Sequence, residues 1–226
     1  MSQAPLFPRN WTRQPPALAA DYKTSITRSP RLPLLSLDQT PSELNGPTFA
    51  PSDIGQLDSD LIQNYAKDGP PIGERVLLYG KVIDENARPL PYTLVEIWQA
   101  NASGRYRHVK DGYLAALDPN FGGCGRTLTD AQGRYSFKTI KPGAYPLSFL
   151  GGSGWRCRHI HFKVSCPGYR ALTTQMYFEG DPLIAQDFEI AKAPEESRHL
   201  LIAAATPDEG SGLLLYRFDI VLAPLA

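Results

Sequence analysis

Proline divides this chain into two unequal parts. Eleven of its 21 prolines, at positions 5, 8, 15, 16, 30, 33, 41, 47, 51, 70 and 71, fall within the first 74 of 226 residues. Each removes a backbone donor and pushes its predecessor toward extended geometry, so such a stretch cannot close a hydrogen-bonded core of its own. Only Asp53 to Lys67, where Ile54, Leu57, Leu61, Ile62 and Tyr65 recur at near-helical spacing before the break at Asp68-Gly69-Pro70-Pro71, predicts a short amphipathic helix. The rest of residues 1–74 reads as an extended arm that lies on the main domain or on a partner subunit.

From Glu74 onward the pattern changes to short β-branched and aromatic runs separated by Gly, Pro, Asn and Asp. That alternation predicts strands over Val76–Ile83, Tyr92–Gln99, Arg126–Thr129, Arg134–Ile140, His159–Ser165, Ala171–Phe178 and Leu213–Leu222. Asp130 and Gly133 supply a hairpin turn between two of them. The expected fold class is all-β: an antiparallel β-sandwich over residues 75–226, with the proline-rich N-terminal arm and short helices, one of them over Glu195–Ala204.

Charge removes several functional classes. Lys and Arg number 23 and Asp and Glu 23, so the formal net charge is zero and the general electrostatic footprint of nucleic-acid or anionic-membrane binding is missing. The longest plain aliphatic run, Leu200–Ala205, is far below the ~18 residues a membrane span needs. The opening MSQAPLFPRNW carries no apolar stretch of signal-peptide length, and the expectation is a cytoplasmic protein. Cys124, Cys157 and Cys166 are odd in number and lack CxxC spacing, which predicts buried free thiols rather than a disulfide framework or zinc ribbon.

The chemistry centres on His159-Ile160-His161. A strand repeats every two residues, so both imidazoles leave the same face and can share one metal. The following residues, Phe162 to Pro167, offer no carboxylate, which weakens ferrous facial-triad chemistry. The remaining histidines, His108 in a polar GRYRH segment and His199 in a surface helix, are poorly placed for a catalytic zinc site. Two tyrosines in turn-flanked contexts, Tyr106 and Tyr145, are better candidates. A phenolate is a hard anionic ligand, and a trivalent cation can hold it deprotonated well below its free pKa of ~10. Two imidazoles with two tyrosinates imply ferric iron.

At this point the chain resembles a known family, the intradiol ring-cleavage dioxygenases, and within it the iron-bearing β-chain type. The likeness runs from Pro15-Pro16 and Asp21-Tyr22-Lys23-Thr24-Ser25 through Asn64-Tyr65-Ala66-Lys67-Asp68-Gly69 and the long Leu94–His108 segment. It continues through Leu117–Arg126, Thr139–Gly143, His159-Ile160-His161-Phe162 and Tyr177–Pro182 to Tyr216-Arg217-Phe218-Asp219-Ile220. The resemblance implies a non-haem Fe(III), one per chain, held by Tyr106, Tyr145, His159 and His161, with Tyr145 and His161 as the axial pair. It implies that Arg156 stabilises the carbanion-like substrate and that Gln175 and Tyr22 orient or contact it. The implied reaction is ortho cleavage of protocatechuate by O2 to 3-carboxy-cis,cis-muconate, with a homologous α chain that lacks the metal ligands as partner in a higher hetero-oligomer.

Two departures bear on the substrate. Relatives follow the axial tyrosine with Pro-Trp, whereas this chain has Tyr145-Pro146-Leu147; relatives carry Trp-Arg-Pro where this chain has Trp155-Arg156-Cys157. Loss of an aromatic wall at Leu147 leaves volume, so another 4-substituted catechol, for instance a sulfonated one, is an alternative substrate. A rival of another class is a non-catalytic transthyretin-like binding module, which would not need the two tyrosines and two histidines together.

Overall fold

The computed structural model describes residues 51–147 and 154–225. Tyr22 and the proline-rich segment before residue 51 lie outside the described residues. Twelve strands follow in chain order: β1 (Arg75–Asp84), β2 (Leu94–Trp98), β3 (Cys124–Leu128), β4 (Arg134–Ile140), β5 (Tyr145–Pro146), β6 (Trp155–Arg156), β7 (His159–Ser165), β8 (Leu172–Phe178), β9 (Ile202–Ala203), β10 (Ala205–Pro207), β11 (Leu214–Arg217) and β12 (Ile220–Leu222). One five-stranded sheet is built on β1, which takes β4 along one edge and β11 and β12 along the other, with β10 outside β11. The second has the order β3-β2-β7-β8-β9, and β5 pairs with β6 as a separate two-stranded ribbon.

Alternation explains why these runs are strands. β1 buries Val76, Leu78, Gly80, Val82 and Asp84 and turns the residues between them outward; β4 does the same with Tyr135, Phe137 and Thr139. On β7, Ile160, Phe162 and Val164 are fully buried and meet Met176 and Phe178 of β8 in the core shared with the first sheet. Each large apolar side chain removed from water in this way contributes roughly 1.5–3 kcal/mol.

The all-β sandwich class holds, with three differences of detail. Pairing is mixed rather than purely antiparallel, because β11 and β12 run parallel to β1 and β9 runs parallel to β8. The single strand expected over Leu213–Leu222 is interrupted at Phe218-Asp219, where the Asp219 carboxylate takes the Lys81 N–H that the ladder would otherwise use. No regular helix forms over Asp53–Lys67. That segment is a 3-10 turn at Pro51–Asp53 followed by successive turns, because Asp60 bridges to Lys138 on β4. The Leu61 N–H donates to the Lys138 carbonyl at 2.8 Å, which pulls the backbone out of helical geometry and drives Leu61 fully into the core. Glu195–Leu201 is likewise 3-10 rather than α, and the chain turns into β9 at Ile202. All three cysteines are free, but only Cys157 is buried; Cys124 is exposed and Cys166 half-buried.

Candidate metal centre

The two faces of β7 do different work. While Ile160, Phe162 and Val164 enter the core, His159 and His161 leave from the other side, their rings 4.9 Å apart between centroids and nearly perpendicular. Their cross-strand neighbours continue the polar row: Tyr177 opposite His159, Gln175 opposite His161 on β8, and Trp98 opposite His161 on β2. The Trp98 indole stacks on the His161 imidazole at 4.8 Å with an interplanar angle of 2°, which fixes the plane of that ring.

The two tyrosines reach the histidines from separate loops. Tyr145 sits on β5, held to β6 by its pairing with Arg156. Tyr106 follows a loop organised by Asn101, whose side-chain oxygen accepts the N–H groups of Ser103 and Arg105 and the Ser103 hydroxyl, while its amide donates to the Ala116 carbonyl. Asp111 accepts the Tyr106 N–H at 2.7 Å. The two loops touch through backbone. The Gly143 N–H donates to the Asn101 carbonyl, and a Cβ at Gly104 (φ +82°) would stand 2.1 Å from the Ala144 carbonyl oxygen. A Cβ at Gly143 would stand 2.4 Å from the Gly104 nitrogen, so neither position admits a side chain.

The result is a convergence of donors. His159 Nδ1 lies 2.6 Å from the Cys157 carbonyl oxygen, a contact that requires the proton on Nδ1 and leaves Nε2 as a bare lone pair. Tyr145 Oη is 3.4 Å and Tyr106 Oη 3.5 Å from that Nε2, and the two phenol rings meet edge-on at 5.5 Å. His161 closes the group, its ring 6.3 Å from that of Tyr106. Burial, with help from the Arg156 charge, pulls the His159 imidazole down to about 3 and His161 down to about 4, so both are neutral lone-pair donors at neutral pH. Burial raises Tyr106 well above its ordinary range, reinforced by its Tyr145 neighbour, and raises Tyr145 as well. Both phenols therefore keep their protons until a strong cation displaces them.

Arg156 is the buried cation beside this cluster. Its Nε donates to Asp187 at 2.9 Å and an Nη2 hydrogen goes to the Gln175 side-chain oxygen, so Gln175 is tied to Arg156. Leu147 lies two residues beyond Tyr145, half-buried, its N–H on the Gly154 carbonyl. His108 and His199 are exposed, as their sequence context suggests. The sequence reading did not reach Trp98, Asp187 or Phe188. Trp98 becomes visible only once β2 is known to pair with β7, and Asp187, 31 residues from Arg156, carries no local signal at all. Among the described residues no group of three or more His, Cys, Asp and Glu gathers, so the mixed phenol and imidazole cluster is distinct from an ordinary zinc or facial-triad set. Among the described residues no helix is long and apolar enough to cross a membrane.

Comparison with known proteins finds relatives along most of the chain. The Dioxygenase family profile matches residues 44–224, and the profile described as protocatechuate 3,4-dioxygenase beta subunit N terminal matches residues 7–40. The chain is 46% identical over 220 residues to the protocatechuate 3,4-dioxygenase beta chain of Burkholderia cepacia, covering 96% of this chain and 93% of that one. It is 36% identical to catechol 1,2-dioxygenase 2 of Acinetobacter lwoffii over 67% of this chain, and spans 56% of that longer protein. Among solved structures, the 3-chlorocatechol 1,2-dioxygenase of Rhodococcus opacus 1CP superposes with a TM-score of 0.60 at 26% identity, covering 80% of this chain and 70% of that one.

Proposed function

The chain belongs to the intradiol ring-cleavage dioxygenase family, and from that premise we propose that it cleaves protocatechuate between its two hydroxyl-bearing carbons with a non-haem ferric ion, one per chain. The overall change adds both atoms of O2 to the ring carbons and yields 3-carboxy-cis,cis-muconate. The observation that carries the reading is the gathering of Tyr106 and Tyr145 oxygens at 3.5 and 3.4 Å from the unprotonated Nε2 of His159, with His161 beside them.

The donor set suits that ion. Two phenols that ionise on binding and two neutral imidazoles give a dianionic site of two oxygen and two nitrogen donors for a trivalent cation. Held by these four side chains, Fe(III) would supply the Lewis acidity that acidifies a catechol and biases its ring toward reaction with O2. Tyr145, as phenolate, accepts a diol proton at Oη, and burial then favours the neutral phenol so formed. Tyr106, His159 and His161 keep the remaining donors in place, and Trp98 holds the His161 ring in its plane. The Arg156 guanidinium lies close enough to bias all four of these side chains electrostatically, and it stabilises negative charge developing on the ring. Gln175 acts beside it.

Protocatechuate is preferred because the relative sharing nearly its whole length with this chain carries that substrate in its name. The same likeness, with the β-subunit profile over residues 7–40, supports a homologous α chain lacking the metal ligands as partner in a higher hetero-oligomer. The half-buried aliphatic Leu147 supports a wider range of ring substituents, a sulfonated catechol included. Iron-replete protein, with and without a co-expressed α chain, is offered a panel of catechols while O2 uptake and products are followed. A red-brown phenolate-to-iron band with uptake on protocatechuate and formation of the carboxymuconate is the expected result. A colourless protein that binds no iron and consumes no O2 with any diol would overturn the reading.

A further inference from the structure

Arg156 is held from three sides, and two of those holds come from one short segment. Asp187 lies between the 3-10 turns Ile184–Gln186 and Ile190–Lys192 and is buried, with its side chain fully enclosed. A carboxylate costs several kcal/mol to enclose unless it is paired and hydrogen-bonded, and here every interior partner is accounted for. Its Oδ2 accepts the Arg156 Nε–H at 2.9 Å, the Cys157 backbone N–H at 2.9 Å and the Cys157 thiol at 3.2 Å; its Oδ1 accepts the Glu189 N–H at 2.9 Å. Asp187 thus cannot swing. The next residue, Phe188, lays its ring beneath the guanidinium at 5.3 Å, and Gln175 takes the far end.

We infer that Asp187 is a positioning residue of the reaction: it clamps Arg156 by Nε, against the Phe188 ring, so that the guanidinium stands beside Tyr145 in one orientation. This rests on the function proposed above. A guanidinium on a flexible stem stabilises developing charge only if its orientation is set before the charge appears, and a fixed carboxylate on Nε sets it. The charge on Asp187 also pairs the buried cation. Asp187 offers no proton of its own, since pairing with Arg156 outweighs the burial that would raise its carboxyl and leaves it below the usual carboxylate range.

Three measurements test the inference on the full chain. In the iron-free protein, the Arg156 Nε–H is expected to show slow hydrogen exchange by 1H–15N spectroscopy; a freely exchanging signal in the unmutated protein overturns the clamp without needing any variant. In iron-replete protein, Asp187→Asn is expected to lower kcat about 10–100-fold while KM and the resting charge-transfer band stay within about twofold. The double variant Asp187→Asn with Arg156→Lys is expected to be no slower than Arg156→Lys alone. Wild-type kcat in Asp187→Asn, or losses that multiply in the double variant, refute a role through Arg156. Failure of the wild-type protein to cleave any diol would instead refute the functional reading, leaving the exchange result standing.

Discussion

The two faces of β7 show how one seven-residue strand serves two ends. Facing inward, Ile160, Phe162 and Val164 are apolar, fully buried and interchangeable in kind, since their task is to fill volume between two sheets. Facing outward, His159 and His161 are specified atom by atom: one ring has its tautomer set by the Cys157 carbonyl, the other has its plane set by Trp98. The inner face supplies stability and the outer face spends some of it, because neutral imidazoles and protonated phenols are packed together in a largely desolvated cluster. Substitutions on the two faces should separate activity from stability in opposite senses.

The sharpest break comes on the outer face. His161→Ala should abolish the phenolate-to-iron band and cut diol-dependent O2 uptake by at least about 10³-fold, while circular dichroism and melting temperature stay close to wild type. Phe162→Ala, its inward neighbour, should do the reverse: unfolding by urea should show a loss of about 3–5 kcal/mol, with iron bound per folded molecule and turnover per iron preserved at low temperature. If instead Phe162→Ala empties the metal site in folded protein, the division between the faces is wrong.

Acid sharpens the same contrast in the iron-free protein. His159 and His161, at about 3 and about 4 when folded, regain an ordinary value of ~6.5 when the chain unfolds. Between those values the unfolded chain binds more protons, so their contribution is complete above pH ~6.5 and is lost as pH falls toward ~4. Melting scans across that window should show a declining midpoint, and His159→Asn should flatten the decline. The smallest effect is expected for Trp98→Leu, which leaves every ligand in place but frees the His161 ring: iron retention against a chelator should weaken about tenfold, with little change in folding.

How far the sequence could be read follows from the range of each signal. Alternation and HxH spacing are local, so most strand positions and the shared outward face of the two imidazoles were legible from residues a few positions apart. Tyr106 and Tyr145 were legible as candidates from their turn contexts and the family likeness, but their meeting depends on contacts between loops about forty residues apart along the chain. The helix expected over Asp53–Lys67 failed for a related reason: its apolar spacing was real, but the carbonyl and N–H of Lys138 competed for the same backbone. Asp187 is the extreme case, an acid next to Phe188 and near Glu189 with no motif around it, whose meaning exists only beside Arg156. Parallel pairing of β11 and β12 with β1 was hidden in the same way, since strand direction is decided by the path of the intervening chain.

The contact between Gly104 and Gly143 has a consequence for how the two tyrosines are set apart. Loops that meet main chain to main chain have no side chain to trim or lengthen, so the spacing of the two phenols is written into the backbone itself. A single methyl group added at either glycine would prise the two tyrosine-bearing loops apart.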